Sequence, residues 1–312
     1  MNLGTKRFVV GWFYKGELMT CGLTSPDRSS RSSGVNRLKF APPAPKGRQA
    51  TAVSSVRNRL SKYVRLTAGE LDFIDRSEVD PEPIAKGDKL SQHGEAGDIV
   101  VLQSGWAVLK SYNKSSGHQI LRVFLPGEFV GLCEIGAPQM EHQISMQTSG
   151  VVSRLSRRAF YQGVSGLPRL NALLLALLSL DLQALRRHNS CMRSMNAESN
   201  LKFFFLQLRS RLKVPGVGSG DRFHVPFSQV EIGQAVGLTS VYVNKLLRGF
   251  KEQGELEIDR PYFWLLAREQ WKTEVDFHDA YENVDTSWFP QVEHPEDLPP
   301  RNKSLHAKAA LV

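Results

Sequence analysis

The chain has 312 residues, is 41% hydrophobic and carries a formal net charge of +9, enough apolar sequence for two modest folded parts with appendages. The charge is lopsided. Residues 1–65 hold 13 Lys/Arg against 2 Asp/Glu and the rest of the chain 27 against 29, so the high pI belongs to the N-terminus and is no evidence that the folded body binds nucleic acid. Cys21, Cys133 and Cys191 are odd in number and widely spaced, which argues against a disulfide framework or a zinc module and makes a cytoplasmic location the expectation. Separately, no apolar run is expected to reach the length of a membrane span, Leu170 to Leu180 being broken by Asn171 and ended by Asp181.

Residues 1–55 are rich in Ser, Pro and basic side chains, with APPAPKGR at 41–48, and offer too little periodic apolar surface to offset ordering entropy. They read as a disordered tail rather than as a basic arm on DNA. Val56 to Ile74 is expected to be helical, anchored by Leu60, Val64, Leu71 and Phe73. From Gly87 to Gly131 recurrent glycines separate short apolar runs: Ile99 to Leu102, Trp106 to Leu109 and Gln119 to Leu125 read as strands, with Asn113 to Gly117 a hairpin loop and Gln147 to Leu155 a last strand. Evenly spaced short strands with glycine punctuation argue for a compact antiparallel barrel or roll over residues 56–165.

Within residues 166–196, Leu167 to His188 reads as one long helix. Its stripe of Leu170, Leu173, Leu174, Leu177, Leu178, Leu182 and Leu185 is wider than one neighbour needs, and pairing with its twin in a homodimer is expected. Leu201 to Leu212, including Phe203-Phe-Phe205, is a further helix, followed by a glycine-rich loop at 214–220 and an apolar stretch at Phe223 to Val225. Past Val275 the chain turns acidic and proline-rich, and residues 276–312 read as a trailing tail.

The stretch SQVEIGQAVGLTSVYVNKLLRGFKEQ at 228–253 organises the rest. Ser228 with Glu231 forms a capping box for a first helix, and Gly237 supplies the left-handed turn that stops it. Leu238 plugs the corner and Thr239 caps a second helix. In that helix Val243, Leu246, Leu247 and Phe250 share one face; Ser240, Val241, Asn244, Lys245 and Arg248 share the other, which is polar and net positive. This is the pattern of a helix-turn-helix whose second helix enters the major groove of double-stranded DNA. Thr239, Ser240, Val241, Tyr242, Asn244, Lys245 and Arg248 are the expected DNA contacts. Leu256 to Asp259 and Tyr262 to Leu266 around Arg260-Pro261 supply the two strands of a wing, so residues 197–275 read as a winged helix-turn-helix and the whole chain as α+β.

No nucleophile elbow, P-loop, dinucleotide fingerprint or HExxH motif is present, so no catalytic, cofactor or metal set is expected. The competing reading is a small-molecule or nucleotide-binding signalling module with a vestigial helix-turn-helix.

The order of roll, long helix and winged helix resembles the Crp/Fnr superfamily of bacterial transcription regulators over about Val56 to Phe277. EIGQAVGLTSVYVNKLL at 231–247 matches the family's helix-turn-helix, and FLPGEFVGL at 124–132 its glycine-bearing turn in a cyclic nucleotide-binding-like roll. Gly105-Trp106 and Val241-Tyr-Val-Asn-Lys245 are similar to a branch with no assigned small-molecule ligand. The resemblance implies a homodimer on an inverted-repeat operator, RNA polymerase as a further partner, and no membrane. Where cyclic nucleotide binders of the family carry a Glu and an Arg-Ser pair, an ungapped alignment from Gly127 and Gly131 places Leu132, His142 and Gln143 here. A neutral His and a Gln cannot replace a bidentate guanidinium on a phosphate, so cyclic AMP binding is not expected. Cys21 alone cannot supply an iron–sulfur ligand set, and nothing marks His93, His118 or Cys133 as haem ligands. Val241 and Lys245 stand where well-known members have Glu and Arg, so a different half-site is implied.

Overall fold

The computed structural model describes residues 54–292, apart from 92, 93, 95, 96, 115, 116, 213–221 and 283, together with Phe13–Tyr14 and Glu17–Leu18. These last two form a short antiparallel pair, β1 (Phe13–Tyr14) and β2 (Glu17–Leu18), inside the stretch expected to be disordered. The remainder of that stretch up to residue 53, Cys21 included, and His93, the loop at 214–220 and residues 293–312 lie outside the described residues, whereas Ser54 and Ser55 cap and begin the first helix.

The single helix expected over 56–74 is two, α1 (Ser55–Leu60) and α2 (Ala68–Ser77). Thr67 is the reason: its hydroxyl accepts from the Glu70 amide while the Glu70 carboxylate accepts from the Thr67 amide, a capping box that starts a new helix. The break lets Val64 and Leu66 turn inward beside Leu60, Phe73 and Ile74.

Eight short strands follow: β3 (Glu82–Ile84), β4 (Lys89–Ser91), β5 (Ile99–Ser104), β6 (Ala107–Asn113), β7 (Gly117–Phe124), β8 (Phe129–Val130), β9 (Gln143–Met146) and β10 (Gly150–Leu155). They make two four-stranded antiparallel sheets, ordered β3-β10-β5-β8 and β4-β9-β6-β7. Leu90, Val100, Leu102, Phe124, Ile144, Met146 and Val152 fill a shared core. The strand expected over 147–155 begins only at Gly150, because the amides of Gln147 and Thr148 bond to the Trp106 carbonyl across a turn. Gly127, in the turn before β8, has φ +85°, and a Cβ there would stand 2.5 Å from the Ser55 carbonyl oxygen. Only glycine lets α1 seat on this turn.

A helix not anticipated, α3 (Arg157–Ser165), precedes α4 (Pro168–Ser194), which runs past the expected end at His188. The leucine stripe of α4 divides. Leu170, Leu173 and Leu174 are buried among Val56, Phe73, Phe160 and Val164 of the same chain. Leu175, Leu182, Leu185 and Met192 are 57, 48, 47 and 46% exposed. By length and apolarity alone α4 could cross a bilayer, but Asp181 near its middle is ion-paired with Arg122 of β7 at 2.5 Å.

The chain continues as α5 (Ala197–Leu212), β11 (Arg222–His224), α6 (Gln229–Val236), α7 (Ser240–Glu252), β12 (Leu256–Asp259), β13 (Tyr262–Leu265) and α8 (Arg268–Glu274). A sheet ordered β11-β13-β12 carries the wing. The largest apolar cluster joins Trp106, Val108, Ile120 and Val123 of the roll to Phe205, Phe223, Ile232, Phe250, Phe263 and Trp271 of the winged helix. Trp106 meets Phe227 edge to face at 5.8 Å, and the buried Gln147 amide donates to the Pro226 carbonyl and to Glu231, each at 2.9 Å. Roll and winged helix therefore belong to one compact unit. The segment after Val275, read above as a trailing tail, also packs on this body: Tyr281 and Phe289 are buried.

Candidate nucleic-acid interface

The local chemistry of α6 and α7 follows the residues anticipated. Ser228 Oγ accepts from the Glu231 amide at 3.2 Å and the Glu231 carboxylate accepts from the Ser228 amide at 2.8 Å. Burial would raise the Glu231 carboxyl, but the hydrogen bonds from the Ser228 amide and Gln147 hold it below the usual carboxylate range. Gly237 ends α6 with φ +72°, and its amide donates to the Gly233 carbonyl. Thr239 Oγ1 then accepts from the Tyr242 amide at 3.3 Å and starts α7.

Within α7, Val243, Leu247 and Phe250 are buried and Leu246 is half-buried, so one face is committed to the core. Val241, Tyr242, Asn244, Lys245 and Arg248 are exposed, as is Thr239, and Ser240 is half-buried at the N-terminal end. All seven anticipated residues thus lie on or beside one open helix face. Val241 is 79% exposed, an outlay of apolar surface that its own chain does not use. The Lys245 ammonium lies 6.0 Å from the Tyr242 ring centroid, a loose cation–π contact that keeps both over the same side. The wing turn at Arg260-Pro261 is exposed, and the Arg260 guanidinium is turned back onto the Phe227 carbonyl at 2.9 Å.

One residue escaped sequence reasoning. Gln229, first in α6, donates its side-chain amide to Asn244 Oδ1 at 2.9 Å and so orients the head of Asn244. A period-based pattern links residues of one helix, and this bond joins two.

Behind the interface lies a buried ionic network. Glu128, in the FLPGEFVGL turn, accepts from Arg59 of α1 at 2.6 Å and from Arg211 of α5 at 2.7 Å, and Arg122 stands 3.7 Å away. Burial alone would push this carboxyl up, but Arg211, Arg59 and Arg122 together outweigh it and bring it down to about 2. Arg122 also pairs with Asp181, which accepts from the Tyr281 hydroxyl at 2.8 Å. Beside the network a cavity of about 750 Å³ is lined by Leu121, Arg122, Leu182, Leu185, Phe204 and Tyr281, among others. Leu132 borders this cavity, whereas Gln143 begins β9 and borders a separate, smaller one with Tyr112 and Glu231. Leu132 and Gln143, two of the positions aligned with a nucleotide pocket, thus border different cavities. His118 stacks on Tyr112 at the surface, and Cys133 is exposed, its sulfur accepting from Arg122 at 3.1 Å.

Comparison with known proteins adds to this geometry. Residues 81–165 match the family described as cyclic nucleotide-binding domain. The chain is 28% identical over 202 residues to the anaerobic regulatory protein of Haemophilus influenzae, spanning 63% of this chain and 77% of that one. It is 25% identical over 204 residues to the fumarate and nitrate reduction regulatory protein of Vibrio cholerae, spanning 64% and 80%. In fold it is similar to FixK2 of Bradyrhizobium japonicum, with a TM-score of 0.55 at 19% identity over 62% of this chain and 95% of that one. A similar likeness, TM-score 0.51 at 16% identity over 63% and 97%, holds for a CRP-family transcriptional regulator of Thermus thermophilus.

Proposed function

We propose that the chain is a member of the Crp/Fnr superfamily of bacterial transcription regulators and that it binds an inverted-repeat operator as a homodimer, reading each half-site with α7. The observation that carries this reading is the division of α7, whose Val243, Leu247 and Phe250 are buried while Val241, Asn244, Lys245 and Arg248 are exposed beside a capped, well-formed turn. A vestigial helix-turn-helix would have no reason to keep both caps and an open basic face.

The roles divide by chemistry. Asn244 and Lys245 read base edges: Asn pairs with adenine N6/N7 or donates to a purine N7, and Lys donates to guanine O6/N7. Val241 meets a thymine methyl. Arg248, furthest along the face, holds phosphate, with Thr239, Ser240 and Tyr242 on the backbone beside the helix N-terminus. Half-sites should stand about one helical turn apart, roughly 10 base pairs.

Dimerisation is supported by the exposed side of α4. Leu175, Leu178, Leu182, Leu185, Asn189 and Met192 follow alternating steps of three and four, the a and d positions of a two-stranded coiled coil. RNA polymerase and a cytoplasmic setting are the partner and place this reading implies.

Selection of operators from a random DNA pool, followed by a panel of single-base changes, tests the assignment. Lys245→Ala or Asn244→Ala should relax preference at one base pair per half-site, each good contact discriminating by about 1–3 kcal/mol. Arg248→Ala should weaken all sequences alike and flatten the salt slope by roughly one unit. The reverse outcome, uniform loss from Lys245→Ala and altered preference from Arg248→Ala, would mean α7 is placed wrongly in the groove.

A further inference from the structure

Past α8 the chain stays on the body of the protein. Val275 is buried at the end of the winged-helix core, and Phe277 meets Phe203 of α5 edge on, centroids 5.5 Å apart. Asp279 accepts from the Ser210 hydroxyl of α5 and from the Tyr281 amide. Tyr281, 4% exposed, then crosses to α4, where its hydroxyl donates to Asp181. Val284 packs against the cluster formed by α1, α2, α3 and the start of α4, and Phe289 is buried within it. This segment thus starts in the winged-helix core and ends among the helices that flank the roll.

We propose that residues 276–292 form a strap that holds the winged helix against the roll, with the Tyr281–Asp181 hydrogen bond as its latch, so that the arrangement presenting α7 is kept without any ligand. Its two apolar anchors lie in different clusters, Phe277 against the first and Phe289 within the second. A separation of winged helix from roll must pull one of them out. The latch lies where the strain would concentrate: one Asp181 oxygen takes the Tyr281 hydroxyl while the other holds Arg122 of β7, next to Glu128 and Arg211 of α5. Releasing Tyr281 leaves a half-buried carboxylate short of a donor at the junction of α4, α5 and β7.

Amide hydrogen exchange on the full dimeric chain, without DNA, tests the strap. Tyr281→Phe removes one oxygen, and amides of α6 and of the facing β6–β7 pair should then exchange roughly five- to tenfold faster, the equivalent of one net hydrogen bond. Phe289→Ala should have the larger effect, on the order of a hundredfold. Amides of β4 and β9, whose Leu90, Ile144 and Met146 lie in a separate core, should keep their wild-type rates in both. If Phe289→Ala fails to fold, Tyr281→Phe decides alone. Faster exchange confined to the strap itself would overturn the proposal. Affinity for a selected operator, measured without added ligand, should fall by the same factor, and a rise would overturn it as well. Operator binding rests on the function proposed above, whereas the exchange result does not. A wild-type chain that selects no operator would sink the DNA reading and leave the strap standing or fallen on exchange alone.

Discussion

Replacing Glu128 by Gln keeps the shape of the buried network and removes its central charge. Arg59 and Arg211 would then lose their carboxylate partner, with side chains only 7 and 9% exposed. The Glu128 carboxyl is lowered from 4.5 to about 2, the three arginines outweighing burial. At about 1.4 kcal/mol per unit, its ionised form contributes about 3 kcal/mol at neutral pH. The loss seen when one partner of a buried ion pair is removed, about 3–5 kcal/mol, agrees. For a chain of this size the melting point should drop by roughly 6–12 °C. Because the folded-state value is depressed, the contribution is fully present above about pH 4.5 and is lost as pH falls through about 2. Wild type and Glu128→Gln should therefore differ most at pH 7 and converge toward pH 2. The assay is urea denaturation of both proteins at one protomer concentration, since a dimer's stability depends on it. A gap under about 1 kcal/mol at pH 7, or a gap that does not narrow on acidification, would refute the reasoning.

Three further outcomes follow from the helices. Leu182→Asp combined with Leu185→Asp should dissociate the dimer while leaving the fold intact, because both leucines are exposed in the single chain and each is worth roughly 1.5–3 kcal/mol when buried by a partner; sedimentation equilibrium showing unchanged mass would place the interface elsewhere. Asn189→Leu should tighten association but admit other registers or oligomers, since a lone Asn at an a position fixes register at a cost in stability; a single dimeric species with unaltered pairing of engineered cysteines would contradict this. Gly237→Ala places a side chain at φ +72° with its Cβ 3.0 Å from the Met192 methyl, and should destabilise by about 1–2 kcal/mol, read as a lower melting point with operator affinity falling in step.

The helix-turn-helix was legible because every signal in it is local. Ser228, Glu231, Gly237 and Thr239 act within four residues of the groups they satisfy, and the α7 faces repeat at helical period. The roll was legible in class, its glycines marking turns, but β3, β4, β8 and β9 are two to four residues long and carry no period to read. The helix break at Thr67 carried a capping-box signature, Thr67 with Glu70, overridden by the apolar spacing on either side. The segment after Val275 was misread for another reason. Its composition resembles that of a tail, but Tyr281 and Phe289 find partners a hundred residues or more away in sequence, at Asp181 and in the α1–α4 cluster. Composition reports how much apolar surface a segment brings and says nothing of a groove waiting elsewhere. Glu128 was likewise visible only as part of a turn, since its three arginines come from α1, β7 and α5.

The width of the α4 stripe, read from sequence as more than one neighbour needs, resolves into separate duties along one helix. Its first turns bury Leu170, Leu173 and Leu174 against the chain's own helices. Further on, Asp181 faces Arg122 and Tyr281, and His188 lies against the Ala235 backbone of α6, where burial keeps its imidazole below the ordinary value and hence neutral at pH 7. Its outer edge, Leu175, Leu182, Leu185 and Met192, is exposed, the side proposed above to meet a second copy. These groups share one helix, so α4 cannot rotate or slide against a partner helix without moving Asp181 and His188 with it. Met192 makes the link direct: it belongs to the exposed seam, yet its methyl lies against Gly237, the turn between α6 and α7. In the dimer proposed above, the seam that would pair two chains and the turn before α7 therefore meet at one side chain. Packed interfaces of this kind shift between discrete arrangements rather than deforming continuously, so in the proposed dimer the register of the coiled coil and the spacing of the two α7 helices on DNA would be set together.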